Sequence, residues 1–190
     1  MTASPPGARQ RILDIADELF YRDGIHTIGV DAIVTKAGTA KTTLYSHFRS
    51  KDELVATYLQ RRSDQWVTYV ETALDERGGS ARDRIMRVFD LLAEWIAEPG
   101  YRGCPFINAC AELAADHPAA KVARAHRARM SAIMRRLVKE SGARRPDALT
   151  AQLMMLYDAA MVASHIDGNP AATRTARAAV KVLLDAAGAA

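Results

Sequence analysis

Cysteine is nearly absent. Cys104 and Cys110 are the two in 190 residues, too few for a disulfide framework, and both are expected as reduced thiols. Together with His117 they would offer three metal-ligating groups, but gaps of six and seven residues do not match a compact ligand motif, so no metal and no cofactor is expected. His126 and His165 are read as core or surface histidines rather than ligands. No uncharged apolar run approaches the roughly 20 residues needed to span a bilayer; the stretch 148–157 is interrupted by Asp158. The opening segment, with Pro5, Pro6 and Gly7, has neither the basic nor the apolar region of a secretory signal, so residues 1–8 are read as a flexible arm and the chain as cytoplasmic, away from membranes. Catalytic constellations are missing as well: there is no phosphate-cradling glycine loop, G-x-S-x-G elbow, H-E-x-x-H or paired C-x-x-C. No catalytic residue is nominated, and an enzyme is not expected. Acidic residues desert one stretch. From Lys121 to Arg145 the single acid is Glu140, set among Lys121, Arg124, Arg127, Arg129, Arg135, Arg136, Lys139, Arg144 and Arg145. A solvated helix face is the default reading of that run; an anionic ligand or an auxiliary phosphate contact is the sharper one.

What is present is an ordinary globular balance, 49% hydrophobic and 25% charged residues with a net charge of +4, which permits a nucleic-acid partner without demanding one. Sustained period-two alternation and fixed-length repeats are absent, and the pattern is helical throughout, so the fold class is all-α. Ile12, Ile15, Ala16, Leu19 and Phe20 make one helix face that stops at Gly24. Val30, Ile33, Val34 and Ala37 make a second, short helix with Gly38 as a left-handed cap. Leu44 and Phe48 anchor a third, over 41–47. Ser50 and Glu53 have the spacing of a capping box opening a long helix to about Arg77, ended by Gly78 and Gly79. Further helices are expected at 85–96, 105–115, 118–141, from Pro146 to about Asp167, and over the alanine-rich tail.

A short helix, a glycine turn and a second short helix behind a longer packing helix is the pattern of a helix-turn-helix. Opposite Leu44 and Phe48 the third helix carries Lys41, Thr42, Thr43 and Ser46, groups able to read base edges in a major groove. The Tyr45 hydroxyl, the His47 imidazole, Lys51 and the amides after Ser50 suit phosphate oxygens. The plainer alternative is that Tyr45 and His47 pack and Lys51 is a solvated lysine. The run Gly38-Thr39-Ala40-Lys41-Thr42-Thr43-Leu44-Tyr45-Ser46-His47-Phe48-Arg49-Ser50-Lys51-Asp52-Glu53-Leu54 resembles the signature of TetR-family regulators, in which A-G, T-L-Y, H-F and S-K-x-x-L recur at this spacing. The likeness covers about residues 9–60. It implies a DNA-binding domain over 9–55 and a helical effector-binding and dimerisation domain over 56–190. By the resemblance, Lys41, Thr42 and Thr43 lie in the groove, and Tyr45, His47 and Lys51 bind phosphates. Gly29 stands where threonine or serine often starts the second helix, leaving only an amide for a phosphate. The family often has serine where this chain has Ala40; Thr39 is a phosphate candidate and a candidate cap in its place.

In the C-terminal part, Leu149, Leu153, Met154, Met155, Leu156, Tyr157, Met161, Val162 and Ile166 surround one helix with apolar side chains, which therefore needs cover on more than one side. A homodimer through the last two helices supplies it; the alternative is the core of a monomer. The segment 103–113 resembles one subset of the same family's C-terminal domains, and that likeness implies a small-molecule effector. Candidate pocket residues are Trp66, Tyr69, Phe89, Trp95, Phe106 and Asn108, with plain core packing as the alternative. The implied function is a repressor of a double-stranded, palindromic DNA operator, released by an inducer. A protein-interaction adaptor that has lost DNA reading is the competing class.

Overall fold

The computed structural model describes residues 7–190, the Arg77 side chain excepted. Among these residues the chain is helical without a strand: α1 (Ala8–Asp23), α2 (Val30–Lys36), α3 (Lys41–His47), α4 (Lys51–Arg77), α5 (Ala81–Ile96), α6 (Pro105–Glu112), α7 (Pro118–Glu140), α8 (Pro146–Asp167) and α9 (Ala171–Ala187). Of the arm expected over 1–8, residues 1–6 lie outside the described residues and Ala8 already opens α1. Proline begins α6, α7 and α8, where its fixed φ suits the first turn and its missing N–H costs nothing.

Two compact units are present. The first takes the described residues up to Ser63 together with Pro105–Ala125. In it α1, α2 and α3 pack on one another through Ile12, Ala16, Ile33 and Leu44, all fully buried. The first half of α4 adds Leu54, Tyr58 and Leu59, with the Tyr58 ring 5.7 Å from that of Phe20. Charge fixes the same pairing: Arg61 reaches Asp14 and Asp17, at 2.5 and 2.7 Å, and Arg62 reaches Asp17 at 2.5 Å. Arg62 also lies 4.2 Å over the Tyr21 ring, a cation–π contact that holds its guanidinium against α1.

The second unit takes Asp64–Cys104 and His126–Ala190. Here α9 packs on α8 and α5, burying Ala176, Val180 and Leu184 along the stripe the alanine-rich sequence indicates. The pairs Arg82–Asp185, at 2.5 Å, and Arg177–Asp90, at 2.6 Å, join α5 to α9 along their edges. Four arginines in the basic run on α7 stay at least partly exposed and have acidic partners. Arg127 pairs with Asp158, Arg129 with Asp64 at 2.6 Å, Arg135 with Asp147 at 2.8 Å, and Arg136 lies 3.9 Å from Glu71. The acids that a local count could not find are supplied by α4 and α8.

Two capping expectations need amendment. Ser50 does accept the Glu53 amide, but the Glu53 carboxylate turns back to the Arg49 N–H, one residue before the cap. The complete reciprocal box is formed by Ser80 and Asp83 at the start of α5. Thr39 does not cap α3: the N-cap position is Ala40, in extended geometry and with no side-chain hydrogen bond. The α3 amides at that end are therefore left to outside acceptors.

Candidate nucleic-acid interface

The turn between α2 and α3 is set by Gly38, whose φ of +60° is readily reached only without a Cβ. Thr39 donates its N–H to the Val34 carbonyl at 3.0 Å, closing the turn, so α3 starts almost at once. One side of α3 is nailed down by Leu44 and, just past its end, by Phe48, which are 0% and 1% exposed. With 3.6 residues per turn the remaining positions must face out. Lys41, Thr42, Tyr45, Ser46 and His47 are exposed, and Thr43 is half-buried. Tyr45 keeps 44% of its surface. Ser46 turns its hydroxyl back on the Thr43 carbonyl, at 2.8 Å.

Gly29 is the exposed N-cap of α2, with no side chain to contribute; its amide and those following are what it offers. Thr39, beyond the other end of α2, is half-buried in the turn. Lys51 is placed differently from the other candidates. Its ammonium donates to the Ile25 carbonyl at 2.6 Å and lies 5.9 Å from the Phe20 ring. Burial holds its pKa below the ordinary lysine value, against the opposing pull of Glu112 and Asp52. A phosphate contact from Lys51 would have to displace or share that internal bond.

Sequence reasoning missed a set of polar contacts within this unit. Glu112, at the end of α6, accepts the His26 amide at 2.8 Å, while the His26 ring meets the Glu112 carbonyl. His117 Nε2 lies 3.3 Å from Asp52 as its Nδ1 accepts the Ala119 amide at 3.1 Å. No local signal announces contacts between residues so far apart in the chain.

The six candidate pocket residues divide between the two units. Trp66, Tyr69 and Trp95 form one aromatic cluster, with the Trp66 ring 5.7 Å from Tyr69 and 5.3 Å from Trp95. Phe89 joins through Tyr157, 6.0 Å away, whose buried hydroxyl accepts from Trp66 Nε1 at 2.9 Å. Tyr101 extends the cluster, 5.0 Å from Trp95, and donates to the Met161 carbonyl at 2.9 Å. Phe106 and Asn108 belong to the other unit, Phe106 buried and Asn108 half-buried. A separate surface cleft of about 320 Å³, lined by Asp83, Arg84, Arg87, Asp90 and Arg177 among others, was not foreseen. No group of three or more metal-ligating side chains occurs among the described residues, and no helix among them is long and apolar enough to cross a membrane.

Comparison with known proteins bears on both units. Residues 12–58 match the family described as bacterial regulatory proteins, tetR family, and residues 81–180 match the tetracyclin repressor-like C-terminal domain. The structure of the SAV143 TetR-type transcriptional regulator of Streptomyces avermitilis superposes with a TM-score of 0.88 at 34% identity, covering 97% of this chain and 100% of that one. SCO4454, a TetR-family transcriptional regulator of Streptomyces coelicolor, gives a TM-score of 0.86 at 31% identity over 95% and 96% of the two chains. The transcriptional activator FasR of Mycolicibacterium smegmatis is 44% identical over 66 residues, 35% of this chain and 30% of its own length. The chain thus spans about a third of the length of the curated relatives it matches. With a helix-turn-helix whose second short helix has an exposed polar face, and family matches over both its parts, this chain belongs to the TetR family of DNA-binding transcriptional regulators.

Proposed function

We propose that the chain is a cytoplasmic, homodimeric repressor that occupies a palindromic operator and is released by a small molecule. The observation that carries the DNA reading is α3 itself: Leu44 and Phe48 are buried, while Lys41, Thr42 and Tyr45 stand in solvent. In this reading Lys41, Thr42 and Thr43 contact base edges, and Tyr45, His47, Lys51, the Thr39 hydroxyl and the Gly29 amide contact phosphates. The DNA-binding part is assigned to 9–55 and the effector and dimer part to 56–190.

Dimerisation is supported by an uncovered apolar row on α8. Met155 and Ile166 keep 69% and 76% of their surface, Val162 keeps 40%, and Val182 on α9 keeps 64%. Such large side chains left in water on the last two helices suit a two-fold partner, and a C2 dimer presents two recognition helices to two half-sites about 34–36 Å apart. The effector reading is confined to Trp66, Tyr69, Phe89 and Trp95 with Tyr157, an aromatic cluster with few polar anchors. The buried Ser164 hydroxyl on α8, which has no protein partner, is a further polar group of the kind a ligand would use. An inducer acts only by binding the DNA-incompetent arrangement more tightly.

Binding-site selection from random duplex DNA at near-physiological salt tests the first half, since low salt favours sequence-blind binding. A two-fold symmetric consensus is expected; no enrichment by folded dimer would shift the reading to the adaptor class. A reporter carrying the selected site within a promoter tests the sign. Repression is expected, and stimulation would place this chain with FasR, which is named an activator.

A further inference from the structure

Asp31 lies in the first turn of α2 and Lys41 opens α3. The turn brings this acid of the supporting helix against the leading lysine of the recognition helix. The Lys41 ammonium meets both carboxylate oxygens, at 2.9 and 3.2 Å. Neither partner serves the core: the side chains are 80% and 51% exposed, and exposed pairs of this kind add little to stability. The hydrogen bond to Asp31 and its charge keep the Lys41 pKa above the ordinary lysine value, so the cation is always present but already has a counter-charge. The same restraint recurs nearby, where Lys36 pairs with Glu18 at 2.5 Å and Lys51 is held on the Ile25 carbonyl.

An exposed carboxylate on a surface meant for a polyanion weakens every phosphate approach. Sequence-blind DNA binding is chiefly the neutralisation of phosphates with release of their counterions. A lysine already neutralised by a carboxylate only exchanges one two-oxygen anion for another at a phosphate, with little net gain. Its ammonium has three donors, so a neutral base edge with acceptors such as guanine O6 and N7 can be engaged without first giving up the carboxylate. We propose that Asp31 is a specificity-determining residue, withholding Lys41 from phosphates while leaving it able to engage a two-acceptor base edge. The inference rests on Lys41 being a base-reading residue.

The test uses the full chain and two duplexes, the selected site and a scrambled one, titrated by fluorescence anisotropy between 50 and 200 mM salt, a range over which phosphate contacts separate clearly (about 10³-fold for extensive contacts). For Asp31→Asn, which keeps size and removes charge, affinity for the scrambled duplex is expected to rise about two- to fivefold. The slope of log K against log salt should steepen by about 0.9. The selected duplex should gain less, so the ratio of the two affinities falls; in a Lys41→Ala background Asp31→Asn should no longer change that ratio. The proposal is overturned if both duplexes strengthen alike, if neither changes, or if the ratio falls equally without Lys41. Loss of discrimination in Lys41→Ala with none in Asp31→Asn sinks the Asp31 role and leaves DNA reading intact. Discrimination untouched by Lys41→Ala sinks the base-reading role of Lys41, and with it this inference.

Discussion

Lys51 shows how one side chain of a recognised motif can have a structural employment visible only in three dimensions. Its bond to the Ile25 carbonyl fastens the loop before α2 to the start of α4. Lys51→Met should therefore lower the unfolding free energy by about 1 kcal/mol, the scale of one partly solvated hydrogen bond, in urea titrations read by circular dichroism. An unchanged midpoint would return Lys51 to the phosphate role alone. Arg145 is a second case: it precedes α8 with φ +55°, a positive value outside glycine among the described residues. A left-handed residue with a Cβ costs about 1–2 kcal/mol, partly offset in glycine by its larger entropy loss. Arg145→Gly should stabilise by about 0.5–1 kcal/mol, raising the thermal midpoint; a lower midpoint would show that the Arg145 side chain contributes more than its backbone costs.

At the scale of an element, α7 was the least legible helix. Its residues 121–139 are basic in sequence, and their charge balance is set by acids on α4 and α8. The buried side of the same helix carries His126, 9% exposed. Burial, and then the Arg129 charge, hold its pKa down to about 4 from 6.5. The folded protein therefore takes up this proton later than the unfolded chain as pH falls. Stability contributed by the neutral ring is complete above the unfolded value and is lost between about pH 6.5 and pH 4, about 3 kcal/mol in all by linkage. Urea unfolding of the parent at pH 7 and pH 4 should show that loss beyond what His126→Leu shows. Parallel pH profiles for the two proteins would remove His126 as the cause. By contrast α9 was readable outright: its stripe of alanine, valine and leucine has one face, and that face is the buried one.

For the whole molecule the decisive quantity is the uncovered row on α8 and α9. Glutamate at both Met155 and Ile166, which are 69% and 76% exposed, leaves each unit's own core untouched. It should weaken self-association by about 2 kcal/mol or more, the scale of central interface residues. Sedimentation velocity should then show monomer where the parent is dimer, and affinity for a two-fold site should fall far more than affinity for a half-site. Dimers of undiminished strength would move the partner surface elsewhere.

The sequence by itself determined the helices, their approximate ends, the recognition helix and the family, because apolar periodicity, glycine and proline act within a few residues of where they stand. It also marked α8 as apolar almost all round. Only the tertiary structure decided which of its faces stayed open, since a helix apolar almost all round has only a weak preferred direction. The same holds for Asp31 against Lys41, for Glu112 against His26, and for the α7 arginines against α4 and α8. Such pairings depend on where distant elements come to lie, and a charge in the sequence carries no record of the partner it will meet.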